Sequence, residues 1–133
     1  MPVEEHSWCS EQVIAALSRE PVGTELAQQV AQALKSGRYI MNGHRDYCGV
    51  GLVYTTPQKV FEFCYVNDGF NTDSIISFSD ENEFIKFLSE QSDYSMSGAD
   101  ESSAVFYEKN TFGRNNQRIT VARLEHLVAT SRL

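Results

Sequence analysis

The chain has 133 residues, 41% of them hydrophobic and 22% charged, a length and balance that fit one folded domain and exclude a disordered tail. Its net charge of −7 is concentrated in an acidic middle, which argues against nucleic acid as the partner unless Lys109, Arg114, Arg118 and Arg123 form a patch of their own, because phosphate backbones are held by Lys and Arg. No run of about 18 apolar residues occurs, so no membrane-spanning helix is expected.

The first third reads as helical. Ser10 is placed as the N-cap of a helix running through Val13, Ile14 and Leu17, which Pro21 stops. Thr24 is expected to cap a second helix with Glu25 in its first turn, Leu26, Val30 and Leu34 as its apolar stripe and Gly37 just past its end. From Arg38 the period changes to that of strands. Tyr39, Ile40 and Met41 form a short strand in this reading. Residues 49–55 and 59–66 form two stronger ones, joined as an antiparallel hairpin through Thr56, Pro57 and Gln58. Phe61, Phe63, Cys64 and Tyr65 point to burial on both faces of the second. Asn67-Asp68-Gly69 is a turn signal, and Ile75 to Phe78 adds a third strand.

Ser79 followed by Asp80, Glu81 and Glu83 is a helix start, with acids at the positive end of the dipole. Phe84, Ile85 and Leu88 supply the inward stripe, with Phe87 beside it. Residues 92–104 read as an acidic loop, Val105 to Tyr107 as a last short strand, and Thr120 as the cap of a final helix through Val121, Leu124, Leu127 and Val128. The resulting order, ααβββαβα, predicts a single α+β domain over residues 1–133: a central antiparallel sheet of three to four strands, helices at both ends and one inserted.

The charge is segregated along the chain. Residues 62–108 carry eleven acids against Lys86 alone, a net charge of −10, while the remaining residues are slightly basic at +3. Such a surface attracts a basic partner and speeds encounter with it. It also serves solubility, and the sequence leaves both uses open. If it binds, the acids expected to do so are Asp80, Glu81, Glu83, Glu90, Asp93, Asp100 and Glu101. A second candidate surface is the loop holding His44, Arg45, Asp46 and Tyr47, which mixes both charges with an aromatic as interface anchors do. It reads equally as an internally hydrogen-bonded loop.

Motifs of catalysis and cofactor binding are incomplete. His44-Arg45-Asp46 matches a kinase triplet, but no Gly-rich phosphate loop or strand lysine accompanies it, and Asp68-Gly69-Phe70 has the wrong order. Asp68 to Asp73 lacks the EF-hand spacing. Gly49 and Gly51 precede a strand and no helix, so they make no dinucleotide fingerprint. His6, His44, His126 and the cysteines Cys9, Cys48 and Cys64 show none of the paired spacings of a zinc site. No metal and no cofactor is therefore expected. Cys48, four residues from His44, is a nucleophile only if its thiol is activated; beside Gly49 at a strand start it reads better as a small buried hydrophobe. The odd number of cysteines at unrelated spacings fits reduced thiols, and the acidic start lacks the pattern of a secretory signal, so the expected compartment is the cytoplasm.

Three stretches taken together carry a resemblance: residues 42–52, from Asn42 through His44, Arg45, Asp46, Tyr47 and Cys48 to Leu52; residues 91–95, around Asp93 and Tyr94; and residues 116–120, followed by Arg123 and Leu124. In order and spacing they resemble small acidic cytosolic bacterial proteins similar to the immunity proteins of polymorphic-toxin and contact-dependent inhibition systems. The resemblance implies a cognate toxin domain, basic if the acids bind it, as the partner, with no nucleic acid and no membrane. The alternatives kept open are a small cysteine- or histidine-dependent enzyme and a phage or secretion-system adaptor.

Overall fold

The computed structural model describes residues 16–40, 49–67, 70–107 and 119–130. Within them the chain forms α1 (Thr24–Lys35), β1 (Gly49–Thr55), β2 (Val60–Asn67), β3 (Phe70–Phe78), α2 (Glu81–Ser89) and α3 (Val121–Thr130). The sheet is three-stranded and antiparallel in the order β1-β2-β3, which makes the architecture α+β. The helix expected around residues 11–17 falls almost wholly outside the described residues.

α1 buries Ala27, Val30, Ala31, Ala33 and Leu34, while Leu26, expected in its stripe, is only half-buried. The alanines let neighbouring backbones come close. Thr24 is the first helical residue and not the cap: the cap position falls to Gly23, with no side-chain cap bond. The reason is tertiary. The N–H groups of Val22 and Gly23 donate to the carbonyls of Gln91 (2.7 Å) and Ser89 (3.0 Å), so the end of α2 sets how the chain enters α1. At the other end Gly37, at φ 103°, donates to the Leu34 carbonyl while Arg38 donates to that of Ala33. This paired closure needs a residue in the left-handed region, which glycine adopts without strain.

β1 and β2 pair from Gly49↔Val66 to Thr55↔Val60, which is the expected hairpin. β2 and β3 pair from Phe61↔Phe78 to Asn67↔Phe70, with register shifts on either side of Cys64. β3 carries the extra residues there. The turn signal at Asn67-Asp68-Gly69 coincides with this connection, although Asp68 and Gly69 lie outside the described residues. Leu52 pairs with Phe63 and Tyr54 with Phe61, so these four share one face, and Gly51 and Cys64 share the other. Both Phe63 and Cys64 are buried, which accounts for the mixed pattern of β2. Of the strand expected at Tyr39 to Met41, the described residues Tyr39 and Ile40 show a single bridge, Ile40↔Leu52, and Met41 lies outside them.

The helices cover the face holding Phe61 and Phe63. Phe84 of α2 stacks on Phe61 at 4.5 Å between ring centroids and meets Phe78 edge-on at 5.9 Å, and Phe63 makes edge contacts with Phe87 and Phe106. Burying a phenylalanine contributes roughly 1.5–3 kcal/mol relative to leaving it in water, so this cluster anchors the layer. α1 and α2 are antiparallel: Gly23 meets the end of α2, while Lys35 at the end of α1 bonds Glu81 at the start of α2 at 2.7 Å.

One expectation downstream of α2 is corrected. Residues 104–107 form a turn, not a fourth strand: the N–H groups of Phe106 and Tyr107 both donate to the Ser103 carbonyl, at 3.2 and 2.8 Å. Local bonding meets the donors that a strand would offer a neighbour, and the turn still delivers Val105 and Phe106 into the core. Residues 92–104 are turns and bends, as expected of a loop, and Ser92, Met96 and Ser97 within it are buried. α3 starts as expected, with Thr120 Oγ1 accepting the Arg123 N–H at 3.1 Å.

Candidate functional site

Asp80 is the N-cap of α2, in place of Ser79, accepting the N–H groups of Asn82 (2.8 Å) and Glu83 (3.4 Å). An aspartate reaches these orphan donors well and its charge also meets the positive end of the helix. Glu81 bonds Lys35 and accepts the Gln32 side-chain amide at 3.4 Å. Asp100 accepts both the N–H (3.0 Å) and hydroxyl (2.7 Å) of Ser102, closing its own turn. All three carboxylates therefore have hydrogen-bond partners within the fold, at its surface.

Asp93 is used most fully by the fold. Its Oδ1 accepts the N–H of Val121 at 2.8 Å, across 28 residues, and it is half-buried. Beside it Ser92 and Ser95 bond reciprocally, the Ser95 hydroxyl accepting the Ser92 N–H at 2.7 Å and the Ser92 hydroxyl accepting the Ser95 N–H at 3.1 Å. Tyr94 donates its N–H to the Ser18 carbonyl and carries the Arg19 guanidinium over its ring at 4.0 Å. Residues 91–95 thus join the segment before α1 to the start of α3.

That leaves Glu83, Glu90 and Glu101, which are exposed and have neither an ion pair nor a side-chain hydrogen bond among the described residues. Glu83 and Glu90 are seven residues apart, two turns or about 10 Å along α2, so they share a face. Lys86 lies between them on that face, three residues from one and four from the other, and bridges to neither. His44, Arg45, Asp46 and Tyr47, with Cys48 and Cys9, lie outside the described residues.

The structure adds carboxylates that the charge count passed over. Glu20, Glu25 and Glu125 rim a groove of about 710 Å³ between α1 and α3, floored by Leu26, Val121 and Val128. Their positions in sequence are scattered, and only the packing of α1 beside α3 brings them together. At the far end of the same helix pair, Arg38 donates to the Thr130 carbonyl at 2.6 Å. With Arg123 and His126 it lines a smaller cavity of about 290 Å³.

Cys64 is 4% exposed, and burial, with the nearby Glu62 charge adding to it, pushes its thiol up to about 11. The thiolate is the reactive form, so Cys64 is inert near neutral pH. Among the described residues no group of three or more His, Cys, Asp or Glu side chains could hold a metal ion, and no helix is long and apolar enough to cross a membrane. No protein-family model matches the chain, and no curated protein or solved structure is detectably similar to it.

Proposed function

We propose that the chain is a stoichiometric inhibitor of the immunity type, which in the cytoplasm binds and neutralises a basic toxin domain through an acidic face. The observation that carries this reading is the division of labour among the acids. Asp80, Asp93 and Asp100 serve caps and turns and Glu81 an ion pair, whereas Glu83, Glu90 and Glu101 are exposed with no side-chain partner among the described residues. Free surface carboxylates raise the association rate for a positively charged partner and impose a salt dependence on it. A toxin that acts on nucleic acid presents such a surface, built to meet phosphates. Tyr47 and Arg45, a few residues before β1 in sequence, are the aromatic and cationic side chains that would complete the interface.

The test is capture by the tagged chain from its own cells, at low and at high salt, run beside the Glu83→Lys/Glu90→Lys/Glu101→Lys variant. The reading expects one stoichiometric basic protein, retained by the unaltered chain at low salt and lost by the variant. That protein should be toxic when expressed alone and harmless when co-expressed with the chain. A captured partner whose toxicity the chain does not relieve, or equal capture by the variant, would sink it.

A further inference from the structure

We propose that the groove between α1 and α3 docks a basic amphipathic helix of a partner protein. The inference goes beyond the acidic face of α2 and does not depend on it: Glu20, Glu25 and Glu125 all lie outside the acid-rich middle of the sequence.

Three observations specify the occupant. The groove has an apolar floor of Leu26, Val121 and Val128 under a rim of three carboxylates, and no Lys, Arg or His is among its described lining residues. Side chains that satisfy both layers alternate apolar with cationic groups, as one face and the two flanks of a basic helix do. The groove also follows two helices that run in the same direction. The start of α1 lines it together with Val121 and Glu125, while Arg38, just past the end of α1, bonds Thr130 at the end of α3. The α3 residues that line it run from Val121 to Ala129, about 12 Å along that helix and some two turns of a docked one. Finally, its wall is built before any ligand arrives. Val22 and Gly23 are hydrogen-bonded to the end of α2, Tyr94 to Ser18, and Arg19, the nearest base in sequence, is committed to the Tyr94 ring. A preformed wall spares the ordering cost that weakens mobile sites.

The probe is a synthetic, end-capped, fluorescein-labelled peptide with leucines at i, i+3, i+4 and i+7 and lysines elsewhere, about 18 residues long so that it can hold a helix. Its counterpart carries glutamate for lysine. Anisotropy titrations use the full chain, the groove variant Glu20→Lys/Glu125→Lys and the α2 variant Glu83→Lys/Glu90→Lys, whose added charge is the same. All four altered positions are exposed, and thermal melts confirm that both variants fold. The expected result is saturable binding of the lysine peptide to the unaltered chain, about tenfold or more weaker binding to the groove variant, and binding within about twofold for the α2 variant. The glutamate peptide should not bind. The proposal is overturned if the lysine peptide does not bind, as when the chain's own residues fill the groove, if both variants lose affinity alike, or if the glutamate peptide binds equally. Failure here leaves the toxin-capture result standing, and failure of that capture leaves this one.

Discussion

The carboxylate of Asp93 caps α3: its Oδ1 accepts the N–H of Val121 at 2.8 Å, although 28 residues separate the two. One oxygen thereby joins the turn after α2 to the start of α3. A cap reached from a distant turn does more than end a helix, because it fixes where α3 packs against the rest. Removing such a cap costs about 1 kcal/mol, with a further contribution from the helix dipole.

Asp93→Ala should therefore lower stability by about 1–2 kcal/mol, seen as a shifted denaturation midpoint. Asp93→Asn keeps an acceptor without the charge and should lose less than half of that. If Asp93→Ala melts like the unaltered chain, the cap is energetically idle and Asp93 returns to the list of binding acids.

The α2 face is expected to behave oppositely. Glu83→Lys and Glu90→Lys should each change stability by no more than about 0.5 kcal/mol, as exposed substitutions away from packing and caps do. Lys86 stands between these two acids and dilutes their field. Lys86→Ala should consequently speed association with a basic partner, measured as a higher on-rate at low salt that converges with that of the unaltered chain at high salt. A slower rate would show that the partner reads Lys86 itself.

Phe84 is fully buried and stacked on Phe61, with Phe63 and Phe78 beside it. Phe84→Ala leaves a cavity between α2 and the sheet and should cost about 3–5 kcal/mol. Phe87→Leu, at a half-buried neighbour, should cost well under half as much. Chemical denaturation of the two variants in parallel checks the ranking, which a comparable loss in both would contradict.

Cys64 ionises near 11 in the folded chain against 9.0 for an ordinary thiol. Between these values the unfolded chain loses the proton that the folded chain keeps, so this thiol's contribution is whole below pH 9 and declines as pH rises toward 11. The loss amounts to at most about 2–3 kcal/mol. It should appear as a steeper fall in stability over that range for the unaltered chain than for Cys64→Ala, whose overall stability differs through lost packing. In native protein Cys64 should also resist alkylation at pH 8 and react on unfolding, assigned by peptide mass.

Most of the elements were legible in the sequence because their signals are local. Gly37 ends α1, Thr120 starts α3, and the strand-forming runs on either side of Pro57 make a hairpin; each depends on residues within a turn or two of one another. The departures arise where another group, distant or local, competes for the same backbone donors. Thr24 is displaced as a cap because Gly23 and Val22 bond the end of α2. Ser79 yields to Asp80, whose carboxylate reaches two N–H groups at once. Val105 and Phe106 have the composition of a strand, yet Ser103 satisfies the backbone locally, and the core needs the Phe106 ring against Phe63 more than the sheet needs an edge.

The same division holds for the candidate surfaces. Sequence alone determined the charge excess between residues 62 and 108, the apolar stripes of the helices and the α+β class, since composition and periodicity depend only on neighbours along the chain. Only the tertiary structure decided which acids remain available. Asp93 is consumed by a helix whose start lies 28 residues away, Glu81 by a lysine on α1, and Glu20, Glu25 and Glu125 become one rim because α1 and α3 lie side by side. Charge is a property of the residue, but freedom to bind is a property of what packs around it.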